Sequence, residues 1–206
     1  MTPPQIACIV EGHGEVEAVP VLIRRIANQL DPPLGVHLPK PLRVSRSKLL
    51  QPNECERAIT FSAMKVGGRG GILLLVDAER DCPAELGPSL AERCRNARGD
   101  LPIAVVLAKS EFEAWFLAAA VSLRGKRGLP HDLSAPDHPE SVRGAKEWLS
   151  NRMPGNKHYR ETSDQPALTQ EFDLVAAREN APSFDKCFRE ITALLASVHE
   201  RFANGP

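Results

Sequence analysis

Two apolar runs constrain this chain more than anything else in it. ILLLV at residues 72–76 and PIAVVLA at 102–108 are short, rich in branched aliphatics and free of polar alternation. A strand with one wet face alternates apolar and polar residues, so unbroken runs of this length predict strands buried on both faces, as in a parallel sheet covered by helices. Gln5 to Val10 reads the same way. After it, Val19, Leu22, Ile23, Ile26 and Leu30 recur at helical spacing, with Pro20 as an awkward member that predicts a kink or a later start. Asn53 with Glu56 looks like a capping box opening a helix that stops at GGRGG, residues 67–71. A further helix is expected from Pro88 to Arg98, and another across EFEAWFLAAAVSL. Val36 to Val44, with Pro39 and Pro41, suits a sheet edge.

Strand alternating with helix predicts an α/β fold, a mainly parallel, Rossmann-like central sheet flanked by helices. Glycine, proline, serine and histidine crowd residues 124–139, and only helical patterns follow. The expected organisation is therefore an α/β core over residues 1–123 and a helical extension over 124–206 packed on it. Ser183 is the expected cap of the last helix. Its stripe of Phe184, Phe188, Ile191, Leu195, Val198 and Phe202 docks on the sheet or on a partner, a second copy of the chain included.

Composition excludes several classes of function. The 206 residues carry 26 basic and 26 acidic side chains, so no global positive field draws the chain to nucleic acid or a membrane. A polyanion would have to be held by a local patch, a metal ion or a partner. Five scattered cysteines without a CxxC pair argue against both a disulfide framework and a zinc site. With no signal-like start and no apolar stretch of membrane-spanning length, a cytoplasmic location is expected.

Acidic residues stand where parallel strands end, the edge at which such sheets bind ligands. The first strand runs into IVEGHGE, with Glu11 and Glu15; the next buried run ends in DAERD, with Asp77, Glu79 and Asp81; the last ends in Lys109, Ser110 and Glu111. Taken singly, each acid is most simply a solvated loop residue. Together they raise a physical problem, since two carboxylates about 5 Å apart on neighbouring strands repel by roughly 3 kcal/mol at an effective dielectric near 20. A hard divalent cation, Mg²⁺ or Mn²⁺, relieves this better than one shared proton. Gly12 and Gly14 would then leave room beside Glu11 for an ion and a phosphate. Glu111 joins the metal candidates, whereas Glu113 is expected only to cap or pair. GHGEVE lacks the third glycine of a dinucleotide fingerprint, and no P-loop is present.

VEGHGE followed by LLLVDAERD resembles the TOPRIM domain, the metal-binding module of topoisomerases, bacterial primases and OLD-family nucleases. Glu11 matches the glutamate that follows that domain's first strand, and Asp77 the first aspartate of its DxD motif. Glu79 replaces the second aspartate, with Asp81 close by, and Glu15 matches a second acid found in OLD-like members. SEFEAWFLA, DQPALTQEFD and SFDKCFREI resemble small stand-alone TOPRIM-like bacterial proteins encoded beside ABC-type ATPases, with a suspected role in phage defence. The resemblance implies metal-dependent phosphoryl transfer, most simply a nuclease acting on DNA or RNA beside an ATPase partner. It implies Glu11, Asp77 and Glu79 on one ion, Glu15 and Asp81 near a second, and Lys109 as a charge stabiliser or base. Arg46, Lys48, Lys126 and Arg127 are the candidates for a nucleic-acid groove, although charged loops are usually just solvated. The alternative is a regulatory or binding subunit that keeps the fold without the catalysis. With a single tyrosine, Tyr159, a topoisomerase is not expected.

Overall fold

A computed structural model describes residues 3–204. Four parallel strands form one sheet in the order β2-β1-β3-β4, with β1 at Ile6–Val10, β2 at Leu42–Arg43, β3 at Gly71–Asp77 and β4 at Ile103–Ala108. The unbroken apolar runs have their reason in the two layers that cover this sheet. Ile6, Cys8, Val10, Leu73, Leu75, Ala104 and Val106 face one apolar core, while Ala7, Ile9, Ile72, Leu74, Val76, Val105 and Leu107 face the other. β1, β3 and β4 thus spend both of their faces on burial, at roughly 1.5–3 kcal/mol for each large side chain removed from water.

The second face is covered by α3 (Glu54–Val66) and α4 (Pro83–Ala97). The first is covered by α1 (Glu15–Gln29) and by helices from the C-terminal part: α5 (Ala114–Ala118), α6 (Ala145–Ser150), α7 (Glu161–Glu171), α8 (Leu174–Asn180) and α9 (Pro182–Ala203). A short α2 (Arg46–Leu49) follows β2. The apolar stripe of α9 lies on β3 and β4, which settles its docking in favour of the sheet, and α7 lies along α1. Residues 124–204 therefore complete the same core that residues 3–123 begin.

Several local expectations are corrected. α1 starts at Glu15 and runs through Pro20, because Val19, Leu22, Ile23 and Ile26 are fully buried and their packing outweighs the lost backbone bond. α4 begins at Pro83, five residues before the predicted start, with that proline in the first turn where its missing donor costs nothing. The capping box does not form: Asn53 is left-handed and makes no side-chain cap, and Glu56 instead takes Arg93 at 2.7 Å. Ser183 lies inside α9 and does not cap it; its hydroxyl accepts from Trp115 Nε1 and from the Lys109 amide. The predicted edge strand shrinks to Leu42–Arg43 and an isolated bridge between Gln5 and His37, as its two prolines require.

Candidate functional site: a carboxylate-lined cavity at the strand ends

The register that pairs Ile9 with Leu74, and Asp77 with Ala108, brings Glu11, Asp77 and Glu111 to the same edge of three adjacent strands. They line a cavity of about 430 Å³ with Glu79, Arg80, Ser110, Arg143, Gly144, Lys146 and Glu147. Asp77 Oδ1 accepts from the Phe112 amide at 2.9 Å, which fixes the carboxylate. Glu11 Oε2 and Glu111 Oε2 are buried without any hydrogen-bond partner. Two non-glycine residues in this wall, Glu79 and Ser110, have positive φ of 51° and 65°, and Glu79 donates its amide to the Ser110 carbonyl. The chain thus holds an unfavourable backbone conformation at the cavity rim.

Behind the wall lie two buried acids. Glu15 is 2% exposed and Glu113 is 0% exposed. Glu15 Oε2 accepts from the amides of Glu11 (2.8 Å) and Gly12 (3.1 Å), so it staples the first loop and does not reach the cavity wall. This corrects its expected place as a ligand of a second ion. Gly14 is also corrected: its backbone is right-handed, and a Cβ there would lie 2.2 Å from Gln165 Oε1 and 2.4 Å from the Glu161 carbonyl. Its bareness serves the contact of α1 with α7, not an ion.

Crowding is visible in the acid strengths. Burial, then repulsion from Glu15, Glu113 and Glu11, pushes Asp77 well above the usual carboxylate range. Burial raises Glu15 to about 7 despite the two amides. It raises Glu113 to about 7 as well, against the opposing pull of Lys146 and Tyr159. Glu11 is raised by burial, in part offset by the backbone of Asp77 and Arg46. The group that relieves part of this negative charge is one that sequence reasoning missed. Lys146, on α6, lines the cavity and bonds Glu161; burial works against its charge, but Glu113, Glu161 and Asp77 outweigh burial and raise its pKa. Tyr159 donates to Glu113 Oε1 at 2.8 Å. No motif announces Lys146 or Tyr159, because they reach the strand ends only through the packing of the C-terminal helices.

Other expected site residues go elsewhere. Lys109 is exposed and lines a separate cavity with Asp137, His138 and Glu140, so Lys146 stands where Lys109 was expected. Asp81 does not line the acidic cavity; its carboxylate is bound by Arg46, which also lies 3.6 Å from Glu79. The four basic candidates do not form one groove. Arg46 holds the DAERD loop, Lys48 pairs with Glu54, Lys126 with Glu171 and Arg127 with Asp164, and Lys48 and Arg127 line different cavities. Glu113, expected only to cap or pair, is among the acids that most perturb Asp77.

Among the described residues, no three His, Cys, Asp or Glu side chains form a ready-made cage for a metal ion. Mg²⁺ does not need one, since it keeps several waters and is commonly held by one or two carboxylates together with substrate phosphates. The orphaned oxygens of Glu11 and Glu111, with Asp77 fixed between them, fit that kind of site.

Fold and site together define a Rossmann-like α/β protein with an acidic cavity at the carboxyl ends of its parallel strands. The profile of the family described as domain of unknown function DUF4276 matches residues 10–192, and the chain belongs to that family. No curated protein and no solved structure matches it. No helix among the described residues is long and apolar enough to cross a membrane.

Proposed function

We propose that this chain is a TOPRIM-like, Mg²⁺- or Mn²⁺-dependent phosphoryl-transfer enzyme, a nuclease that cuts DNA or RNA, acting in the cytoplasm beside an ABC-type ATPase in phage defence. The observation that carries the chemistry is the pair of buried, unpartnered carboxylate oxygens on Glu11 and Glu111, two residues that line one cavity with Asp77. Leaving such oxygens unsatisfied costs several kcal/mol in general, and a hard cation satisfies them. The resemblance of VEGHGE and LLLVDAERD to the TOPRIM motifs supports the same assignment, as does their position on adjacent strands.

Glu11, Asp77 and Glu111 would hold the ion. When bound, it supplies Lewis-acid stabilisation and a more acidic water. The protein's own residues do the positioning. The Phe112 amide orients Asp77, and Lys146 places an ammonium in the wall where negative charge builds on a phosphoryl group. Glu113 and Tyr159 hold that lysine's surroundings in place from behind. Arg46 fixes the DAERD loop and is not free to grip substrate.

Cleavage of single-stranded and duplex DNA and RNA with Mg²⁺ or Mn²⁺ tests this reading. Wild type is expected to cut at least one of them, and Glu11→Gln and Asp77→Asn to lose two orders of magnitude or more. Equal activity in all three would sink it. A second reading, a binding subunit without catalysis, is favoured by Arg46 occupying Asp81 and Lys146 neutralising the acids. Absence of Mg²⁺ and Mn²⁺ binding at millimolar concentration in titration calorimetry would select it.

A further inference from the structure

A second polar cavity, of about 460 Å³, is lined by Arg127, Gly128, Met153, Lys157, His158, Arg160, Ser163 and Asp164. We infer that it seats a backbone phosphate of the nucleic-acid strand whose scissile phosphodiester enters the acidic cavity. This inference rests on the phosphoryl-transfer reading above.

The charge in this cavity is one-sided. Arg127, Lys157 and Arg160 face a single carboxylate, Asp164, which is already committed to the Arg127 guanidinium at 2.7 Å and to the Arg160 amide at 2.8 Å. The side chains of Lys157, His158 and Arg160 enter no ion pair among the described residues, while Lys126 next to Arg127 has its own acid in Glu171. Lys157 is exposed and lies along the cavity's Gly128, where a Cβ would stand 3.8 Å from its Nζ. In a chain whose charges balance overall, such a concentration of unpaired cations calls for an anion with several acceptor oxygens.

The occupant is identified by how the two cavities are joined. Arg160 is extended, with φ −120° and ψ 112°, so neighbouring side chains point to opposite sides. His158 and Arg160 line the basic cavity, whereas Tyr159 bonds Glu113 and Glu161 bonds Lys146 behind and in the wall of the acidic one. One short segment therefore presents the Arg160 guanidinium to one side and supports the acidic site on the other. A strand, which carries a phosphate at every nucleotide, offers anions to both cavities; a single free phosphate occupies one. Arg127 alone was visible as a candidate from sequence, since Lys157, His158 and Arg160 belong to no basic run.

The test is strand binding by fluorescence anisotropy in EDTA, so that binding is read without cleavage. A labelled single strand of about 20 nucleotides is titrated at several salt concentrations against wild type, Lys157→Ala, Arg160→Ala, the double variant and Lys157→Arg. Each alanine substitution is expected to weaken binding regardless of sequence and to reduce the salt slope by about 0.7 per cation removed, with Lys157→Arg restoring it. Inorganic phosphate and a nucleoside triphosphate are expected to displace the strand only at much higher concentration. An unchanged affinity and slope in the double variant, with its melting temperature intact, overturns the proposal, as does a triphosphate that binds as tightly as the strand. Cleavage is scored separately in Mg²⁺ or Mn²⁺. Binding that depends on Lys157 and Arg160 without wild-type cleavage supports the phosphate seat and defeats the nuclease reading, and cleavage with binding indifferent to both residues does the reverse.

Discussion

Asp77 carries the tension of the site. Its carboxylate is enclosed, held by the Phe112 amide and surrounded by Glu11, Glu15 and Glu113, so its charge is disfavoured in the metal-free protein. Replacing it by Asn keeps the shape and removes the repulsion. Asp77→Asn is therefore expected to raise the melting temperature in EDTA while cleavage is lost; a lower melting temperature in a thermal scan would contradict the account of mutual repulsion. Lys146 makes the complementary case. Lys146→Met should lower cleavage about 100-fold, the usual scale for removing one charge-stabilising donor, whereas Lys109→Met should change it little, because Lys109 lies in a different cavity. Steady-state rates for the two variants decide which lysine serves the site.

At the level of elements, the contact between α1 and α7 positions the acidic loop. Gly14, just before α1, sits against the first turn of α7, where a methyl group would overlap Gln165 Oε1 and the Glu161 carbonyl. Gly14→Ala must push α7 away, and α7 begins at Glu161, the partner of Lys146. The expected cost is about 1–3 kcal/mol by chemical denaturation, with a larger fractional loss of cleavage than stability alone explains. A variant as stable as wild type would show that the helices part freely there. α9 contributes differently, through Phe184 in an aromatic cluster with Trp115 and Phe172 at centroid distances of 5.2 and 5.3 Å. That cluster fixes α5, at whose start Glu113 stands.

For the whole molecule, the buried acids set how stability varies with pH. Glu15 and Glu113 sit at about 7 in the folded protein against an ordinary value of 4.5. Between those values the folded state holds more protons than the unfolded one, so unfolding free energy falls as pH rises. Metal-free protein is expected to melt higher at pH 5 than at pH 8. Millimolar Mg²⁺ or Mn²⁺ should raise the melting temperature more at pH 8, since the cation competes with protons for the carboxylates of Asp77 and Glu11, whose hold on protons is also raised. A flat or rising profile in EDTA would refute this ordering.

By itself the sequence determined the sheet and its edge. Runs such as ILLLV have no wet face to offer, so they dictate a double-covered parallel sheet, and chain order then puts Glu11, Asp77 and Glu111 at strand ends. Local signals such as Pro20, Pro88 and the Asn53–Glu56 pair misled, because helix limits were decided by burial against the sheet and by Arg93 taking Glu56. Only the tertiary structure decided which charges meet. Arg46 reaches Asp81, Lys146 enters the acids, Tyr159 reaches Glu113 and Lys109 turns away, each across a long separation in the chain. Strand character is written in contiguous residues, whereas the partner of a charge depends on the packing of distant helices.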